Sequence, residues 1–231
     1  MVGVTGVVRR LRNGTLASGL VLRVLQGVLR VSGKRVSVVR IGSRYGGWWV
    51  PESSLVEGAV AYCGGAGEDI SFDNELARHG LEVWTFDPTP RAIHYVREHG
   101  LGINFAPVGW WSNSCTLRFY APANNEHVSY SVDNLQGSEE FFDAKVQTVH
   151  ELAHERGHQT IDILKMDIEG AESEVLPTLL AFGPAVKVLC IEFDYPFSTY
   201  ALISLLVKVW TAGYKPIKVE HQNVTFFNGG M

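Results

Sequence analysis

The sequence has 231 residues, of which 46% are hydrophobic, 19% charged and 11% aromatic. This composition is typical of a globular chain and excludes a disordered, collagen-like or low-complexity protein. Domains usually contain about 100–200 residues, so we expect one domain with an elaboration. The three cysteines have neither the pattern of a disulfide framework nor a metal-ligand spacing, and they predict a cytoplasmic protein in a reducing environment.

Charge is distributed unevenly along the chain. Residues 1–50 contain nine basic side chains and no acidic one, whereas the remaining 181 residues carry 11 basic and 24 acidic side chains. The acidic body disfavours nucleic acid as a partner. We predict a basic N-terminal segment at 1–50, with a helix and a strand, followed by a main domain at 51–231.

Two roles are open for the basic segment. It either packs on the domain with its arginines in water, or it contacts an anionic membrane surface or a partner. Gly14–Arg30 is too short, and too interrupted by Arg23, to span a bilayer. Any membrane contact is therefore expected to be peripheral.

From residue 59 onward, apolar runs alternate with segments of helical periodicity. Strands are predicted at Ala59–Cys63, Glu82–Phe86, Ile103–Trp111, Ile161–Met166 and Val186–Phe193, and helices at Asp69–His79, Pro90–His99, Val149–Arg156, Ala171–Phe182 and Ser198–Ala212. Tyr214–Val219 and Asn223–Phe227 have no helix between them and should form an antiparallel hairpin. The pattern predicts an α/β fold with a Rossmann-like, doubly wound and mostly parallel sheet.

One long connection interrupts this alternation. Cys115–Tyr120 is predicted as a short antiparallel extension, and Ala121–Phe142 as an irregular loop of polar and aromatic residues. Connections of this length in compact domains are often functional. We therefore expect this loop to take part in substrate binding.

A glycine-rich turn follows the first predicted strand, in the sequence Gly64-Gly65-Ala66-Gly67-Glu68-Asp69. Glycines permit a sharp turn and a close approach of the backbone to a ligand. Asp87 ends the second strand about twenty residues later, where an acid accepts hydrogen bonds from ribose hydroxyls. Together these features indicate an adenosine cofactor.

The residues after the turn bear on which cofactor it is. A dinucleotide site needs a glycine where this chain has Ile70, and the carboxylates of Glu68 and Asp69 would repel its pyrophosphate. S-adenosylmethionine has no phosphate, and carboxylates favour its sulfonium and ammonium groups. The pattern favours this cofactor, with a nicotinamide-dependent oxidoreductase as the alternative.

The fourth strand carries the sharpest motif, IDILKMDIEGAE at residues 161–172. Lys165, Asp167 and Glu169 alternate with apolar residues, so they should point to one face at the carboxyl end of the strand. Ligands bind beyond this end of an open parallel sheet. The structural alternative is a Lys165–Asp167 ion pair that closes the edge of the sheet.

With these motifs the chain resembles the FkbM-type methyltransferases, which are class I enzymes that depend on S-adenosylmethionine. The likeness runs from about Arg40 to Phe227. Its specific part is IDILKMDIEGAE followed by VLCIEFDYP, and YCGGAGEDISFDNEL, VWTFDPTP and the upstream IGSRYGGWWVP are also similar. The resemblance implies a class I methyltransferase fold and O-methylation of a sugar, glycolipid, polyketide or similar small acceptor.

The resemblance also implies roles for single residues. Gly65, Ala66 and Gly67 would form the turn under the methionine part of the cofactor, Asp87 would hold the ribose, and Asp167 would lie near the methyl donor. The chain departs from the commoner pattern at Cys63, where many members have an acid, and at Asp69, where many have a glycine. Glu68 or Asp69 would then take over the contacts to the methionine. The full set of predicted cofactor-binding residues is Gly64, Gly65, Ala66, Gly67, Glu68, Asp69, Asp87, Pro88 and Asp167.

Methyl transfer to a hydroxyl gains from a general base within hydrogen-bond reach of the acceptor. The predicted catalytic residues are Asp167, Glu169 and Glu192, and Asp194 is a further candidate for the base. Carboxylates clustered in this way also suit Mg²⁺, although no ligand spacing indicates it and we predict no metal ligand. A module that holds S-adenosylmethionine without catalysis is the other alternative.

Overall fold

The computed structural model describes residues 19–27, 36–120, 140–193 and 198–230. A helix, α1, occupies residues 19–27 and is followed by a hairpin of two short strands, β1 and β2, and a single 3₁₀ turn at Glu52–Ser54. Outside residues 104–147 and the final hairpin, the later strands and helices alternate as the sequence predicts. The strands are β1 Val38–Ile41, β2 Trp48–Pro51, β3 Val60–Gly64, β4 Glu82–Phe86, β5 Asn104–Ala106, β6 Gly109–Trp110, β7 Cys115–Tyr120, β8 Phe141–Gln147, β9 Thr160–Met166, β10 Ala185–Glu192, β11 Lys215–Glu220 and β12 Asn223–Phe227. The helices after α1 are α2 Ser71–Arg78, α3 Pro90–His99, α4 Val149–Arg156, α5 Glu172–Phe182 and α6 Thr199–Thr211.

A seven-stranded sheet forms the centre of the molecule, in the order β11-β12-β10-β9-β3-β4-β5. Strands β10, β9, β3, β4 and β5 are mutually parallel, and β12 runs antiparallel to both of its neighbours. This confirms the predicted α/β fold with its C-terminal hairpin. The strand order reverses between β3 and β9, so the crevice for a ligand is expected beyond the carboxyl ends of these two strands.

The third predicted strand, Ile103–Trp111, is wrong as a single element. The structure divides it into β5, which belongs to the main sheet, and β6, which pairs with β8 in a separate three-stranded sheet, β6-β8-β7. The break falls at Pro107, which has no N–H to donate to a sheet. The predicted antiparallel extension is β7, which pairs with β8.

The predicted loop Ala121–Phe142 is also corrected at its end, because Phe141 and Phe142 begin β8. Residues 121–139 lie outside the described part of the chain. The two strands that flank them form cross-strand aromatic pairs, with ring centroids 5.4 Å apart for Phe119 and Phe142 and 6.2 Å apart for Tyr120 and Phe141. The two strands on either side of residues 121–139 are therefore paired with each other and carry aromatic side chains.

Both faces of the main sheet are covered. On one face, α2 and the β1–β2 hairpin bury a core that includes Ile41, Val50 and Phe72. On the other face, α1, α4, α5 and α6 contribute to a larger core around Tyr62, Leu164 and other strand residues. The hairpin crosses the predicted boundary at residue 50, and the sequence analysis did not anticipate its second strand. Within the described residues, no helix has the length and hydropathy needed to span a bilayer.

Candidate active site

The glycine turn after β3 has the close packing that its sequence predicts. Gly65 has φ +82°, and a side chain there would put Cβ only 1.7 Å from the carbonyl oxygen of Asp167. Gly67 has φ +50°, and a Cβ added there would meet no atom within 4 Å. Only glycine fits at Gly65 because both the space and the backbone angle exclude other residues. The open side of the turn therefore lies at Gly67.

Asp87 holds this turn from the end of β4. Its Oδ2 accepts hydrogen bonds from the backbone N–H groups of Ala66, at 2.8 Å, and Gly67, at 3.1 Å. Its Oδ1 accepts from the N–H of Thr89, at 2.8 Å, and from the Thr89 hydroxyl, at 2.7 Å. A carboxylate has about four lone-pair sites, so the protein itself already occupies those of Asp87. Its expected contact with ribose hydroxyls stays a prediction.

Lys165 lies under the turn and is almost completely buried, with 3% of its surface exposed. Its Nζ donates to the carbonyl oxygen of Gly65 at 2.5 Å and forms an ion pair with Oδ2 of Asp167 at 3.1 Å. Burial by itself lowers the pKa of Lys165, but the neighbouring carboxylates of Asp167 and Asp73 outweigh burial and raise that pKa. The ammonium therefore stays charged and ties the turn to the end of β9. The ion pair that was the structural alternative is present.

Asp73 is a charged neighbour that the sequence analysis missed. It projects from α2, is fully buried, and its Oδ1 accepts from the Thr85 hydroxyl at 2.5 Å. Burial raises the pKa of Asp73, and the Lys165 ammonium opposes that rise. Burial also raises the pKa of the Cys63 thiol, and the nearby Asp73 carboxyl adds to it. Asp73 thus supplies an acidic group beside Cys63.

The strand register aligns polar side chains in a row across the sheet. Cys63 is opposite Thr85 on one side and Lys165 on the other, and Lys165 is opposite Cys190, which in turn is opposite Thr225. Residues in register on parallel strands point to the same face. Both cysteines are buried, which is common for small thiols within apolar strands.

A second row, which consists of acidic residues, lies two residues closer to the carboxyl ends of the strands. Ile191 is opposite Met166, so Glu192 follows in register with Asp167. Glu192 is also opposite Asn223 on β12. Asp167 lies two residues beyond Lys165, and Glu192 lies two residues beyond Cys190. Their side chains therefore point to the same face of the sheet as the first row. The fold thus brings two of the three predicted catalytic residues to neighbouring strand ends.

Glu169 does not continue the alternation, which is a correction to the sequence analysis. Strand β9 ends at Met166, and Glu169 is exposed in a turn with φ +57°, followed by Gly170 with φ +94°. The turn is closed by the carboxylate of Glu172, whose Oε1 accepts from the N–H of Ile168 at 2.9 Å. A non-glycine residue in the left-handed region is uncommon and costs of order 1–3 kcal/mol. Such outliers cluster at functional sites.

The acidic pair after the turn contacts protein groups. Glu68 forms an ion pair with Arg91 at 2.9 Å. Asp69 accepts from Ser43 Oγ at 2.5 Å, from Gly46 N at 3.1 Å and from Ser71 N at 2.9 Å. Burial raises the pKa of Asp69, but these hydrogen bonds overcome that effect and hold its pKa below the usual range. Asp69 thereby fastens the turn of the β1–β2 hairpin, residues 42–47, to the start of α2.

Trp110 covers the other side of the turn. A Cβ at Gly64 would lie 2.7 Å from its indole ring, and Trp110 also packs on Phe86 with ring centroids 5.5 Å apart. Its Nε1 is buried without a hydrogen-bond partner in the described structure. Pro88, which the sequence predicts to bind the cofactor, packs beside β6: its Cγ would lie 3.2 Å from a Cβ added to Gly109. Sequence patterns carried no signal for Trp110, because β6 was hidden in a longer predicted strand.

The chemistry of these residues fits S-adenosylmethionine. Glu68 follows the open turn at Gly67, Asp87 contacts the Gly67 N–H, and Asp167 lies against Gly65, so the negative charge beside the turn suits a sulfonium and an ammonium. Within the described residues there is no group of three or more His, Cys, Asp or Glu side chains arranged to hold a metal ion.

Two comparisons with known proteins give distant relatives. Probable methyltransferase-like protein 24 of Rattus norvegicus is 30% identical over 113 residues, which cover 49% of this chain and 26% of that protein. The Homo sapiens protein of the same name is 26% identical over 113 residues, which cover 49% of this chain and 25% of that protein. The chain thus matches about a quarter of the length of these relatives. Among solved structures, the fibrillarin pre-rRNA processing protein of Methanococcus jannaschii has a TM-score of 0.43 at 12% identity, covering 86% of each chain. The precorrin-6y C5,15-methyltransferase of Geobacter metallireducens has a TM-score of 0.41 at 12% identity, covering 76% of this chain and 85% of its own. TM-scores this low give these structural likenesses no weight for substrate or mechanism.

The family comparison is stronger, because the model of the methyltransferase FkbM domain matches residues 41–216. This range includes the hairpin turn 42–47, the glycine turn and the acids at the strand ends. The match favours a methyl donor over a nicotinamide cofactor and, with the fit of the turn, identifies S-adenosylmethionine as the cofactor. The chain belongs to the FkbM methyltransferase domain family.

Proposed function

We propose that this protein transfers the methyl group of S-adenosylmethionine to a hydroxyl oxygen of a sugar, glycolipid, polyketide or similar small acceptor. The observation that carries this proposal is the register that brings Asp167 and Glu192 together at neighbouring strand ends, beside the glycine turn. An alcohol is a poor nucleophile, and a carboxylate within hydrogen-bond reach can take its proton as the new bond forms. The cofactor supplies an activated methyl group.

Within this proposal Glu192 is the general base. The Asp167 carboxylate is already engaged in the ion pair with the buried Lys165 ammonium, 3.1 Å away. Asp167 therefore orients the reacting groups. Glu192 has the adjacent register position, and Glu169 is exposed in the turn that follows β9.

The residues proposed to bind the cofactor are those of the turn, Gly64 to Asp69, together with Asp87, Pro88 and Asp167. Asp87 acts first by holding the amide groups of Ala66 and Gly67 in place. A hydrogen bond from ribose to Asp87 Oδ1 requires that Thr89 give up at least one of its two hydrogen bonds. Replacing Thr89 with alanine should therefore preserve cofactor binding, whereas Asp87→Ala should abolish it.

The test combines calorimetric titration of S-adenosylmethionine with transfer of labelled methyl groups to a panel of sugars, glycolipids and polyketide alcohols. Glu192→Gln should bind the cofactor with unchanged affinity and lose at least about a hundredfold in turnover, the usual contribution of a general base. Glu57→Gln is the matched control, because Glu57 is exposed and precedes the amino end of β3, opposite the carboxyl ends of the strands. If Glu192→Gln keeps full turnover, Glu192 is not the base. If the protein binds the cofactor but labels no acceptor, the non-catalytic module is the better description.

A further inference from the structure

Helix α6 presents an apolar face to the surface of the protein. Tyr200, Ile203, Val207 and Trp210 follow helical spacing, and each exposes between 45% and 84% of its surface. We call these four residues the α6 face. The opposite side of the same helix, with Leu202, Leu205 and Val209, is buried in the core. Monomeric proteins rarely expose a contiguous apolar surface of this kind without a partner for it.

The apolar surface continues on the neighbouring elements. Phe182, at the end of α5, is 73% exposed, and α5 packs against α6. On α1, Leu20 and Val24 are exposed one turn apart, and Leu22 packs into the same core as α6. Gln26 of α1 donates to the carbonyl oxygen of Val219 on β11, at 3.2 Å, which places α1 at the sheet edge that α6 leads into.

On helices α1 and α6, all charged residues beside the α6 face are basic. Arg23 and Lys208 are exposed on α1 and α6, and Lys215 is exposed at the start of β11. Neither α1 nor α6 contains an acidic residue, although residues 51–231 as a whole carry an excess of acids. We propose that the α6 face docks on an anionic lipid surface, with Trp210 and Tyr200 at the water–lipid boundary and the lysines and arginine facing the headgroups.

Two features favour lipid over a second copy of the chain. A two-fold contact through the α6 face would bring together the positive charges that surround it on both copies, which is repulsive, whereas anionic headgroups attract them. An aromatic residue stands near each end of the face, where a ring with a polar atom suits the membrane interface. α6 has 13 residues and is about 20 Å long, so it would lie flat on the surface.

This docking would bring the crevice close to the membrane. α6 begins just after β10, whose carboxyl end carries Glu192, so its first turn with Tyr200 lies at the crevice end of the sheet. An acceptor held in the lipid layer would then reach the acids at the strand ends without leaving it. The docking itself does not depend on the proposed methyl transfer and is measured without cofactor or acceptor.

The experiment is flotation of the full chain with phosphatidylcholine vesicles and with vesicles containing about 30% phosphatidylglycerol. We expect binding to the anionic vesicles at low salt and little binding to the neutral ones. The double variant Ile203→Ser/Val207→Ser should lower the partition at least tenfold, and Lys208→Gln should lower it about fivefold. Leu101→Ser, at an equally exposed leucine outside the face, should change nothing. Trp210 emission should be quenched by brominated lipid, and Trp210→Phe should remove that component.

Four results would overturn the proposal. The first is no binding to anionic vesicles at low salt, and the second is an equal loss in Leu101→Ser. The third is a dimer, seen by light scattering, that the double variant dissociates, because the face would then belong to a second copy. The fourth is binding that survives the double variant and disappears when Arg9, Arg10 and Arg12 are changed to glutamine, because the basic N-terminal segment would then be the membrane contact.

Discussion

Replacing Lys165 with methionine removes the buried cation that joins the glycine turn to the end of β9. The variant loses the hydrogen bond to Gly65 O at 2.5 Å and the ion pair with Asp167 at 3.1 Å, and it leaves Asp73 buried without a nearby cation. Breaking a buried ion pair usually costs about 3–5 kcal/mol. Because the Asp167 side chain is 27% exposed, water can replace part of the lost contact, and we expect about 3 kcal/mol.

The assay is urea unfolding followed by circular dichroism, with Lys187→Met as the matched control. Lys187 also pairs with an aspartate, Asp162, at 2.6 Å, but its side chain is 44% exposed, so its loss should cost about 1 kcal/mol or less. Adding Asp73→Asn to Lys165→Met should restore at least about 1 kcal/mol, because a neutral amide no longer needs the ammonium. Equal costs for the two lysine variants, or no recovery in the double variant, would refute the electrostatic argument.

The sign of the pH dependence provides a second check on Lys165. A lysine whose pKa is raised on folding stabilises the protein fully below the ordinary lysine pKa of about 10.4, and this contribution is lost as pH rises through the raised pKa. The free-energy difference between Asp73→Asn and Asp73→Asn/Lys165→Met, in which no Asp73 carboxyl titrates, should therefore be constant from about pH 6 to pH 9. A difference that changes steeply in this range would mean that Lys165 does not stay charged in the folded protein.

Three further predictions concern the turn, the thiols and a buried tyrosine. Gly65→Ala should abolish cofactor binding in calorimetry and should cost far more stability than Gly58→Ala. Both positions have a positive φ, but only Gly65 lacks space for a Cβ, so Gly58→Ala should cost only about 1–2 kcal/mol. Ellman's reagent should modify only Cys115 in the native protein and all three thiols in urea, because Cys63 and Cys190 are buried. Rapid reaction of all three thiols without urea would contradict this burial. Burial raises the pKa of Tyr214 to about 12, so absorbance titration at 295 nm should find it protonated at pH 11, and stability should fall as pH rises above the ordinary tyrosine pKa of about 10. A tyrosine spectrum with no component that resists ionisation at pH 11 would contradict the buried hydrogen bond from Tyr214 to Val186 O.

Much of the fold follows from local sequence patterns, and the errors have local causes. Glu82–Phe86 and Pro90–His99 match the predicted bounds of β4 and α3, because an apolar run and a proline at the first helical position mark them clearly. The split of the third strand was missed because the apolar pattern continues across Pro107. The second strand of the β1–β2 hairpin was missed because it has only four residues, too few for a periodic pattern to stand out.

The candidate site could be located from sequence, but its internal contacts could not. The glycines and the carboxyl ends of the strands indicate where a ligand binds, since both follow from backbone geometry. The partner of each carboxylate depends on contacts between distant parts of the chain, such as Asp69 with the hairpin turn or Asp73 with Lys165. Sequence spacing also suggested that Glu169 shares a face with Asp167, which holds only as long as the strand continues.

The hydrogen bond from Lys165 to Gly65 joins residues 100 positions apart. Strand β9 must insert beside β3 before this bond can form, and contacts over such separations are slow to form during folding. The first half of the chain contains every glycine of the turn, but Lys165, whose ammonium holds the turn in place, belongs to the second half. The cofactor site becomes complete only when the second half of the sheet is in place, so the protein should acquire its ligand late, after its topology is settled.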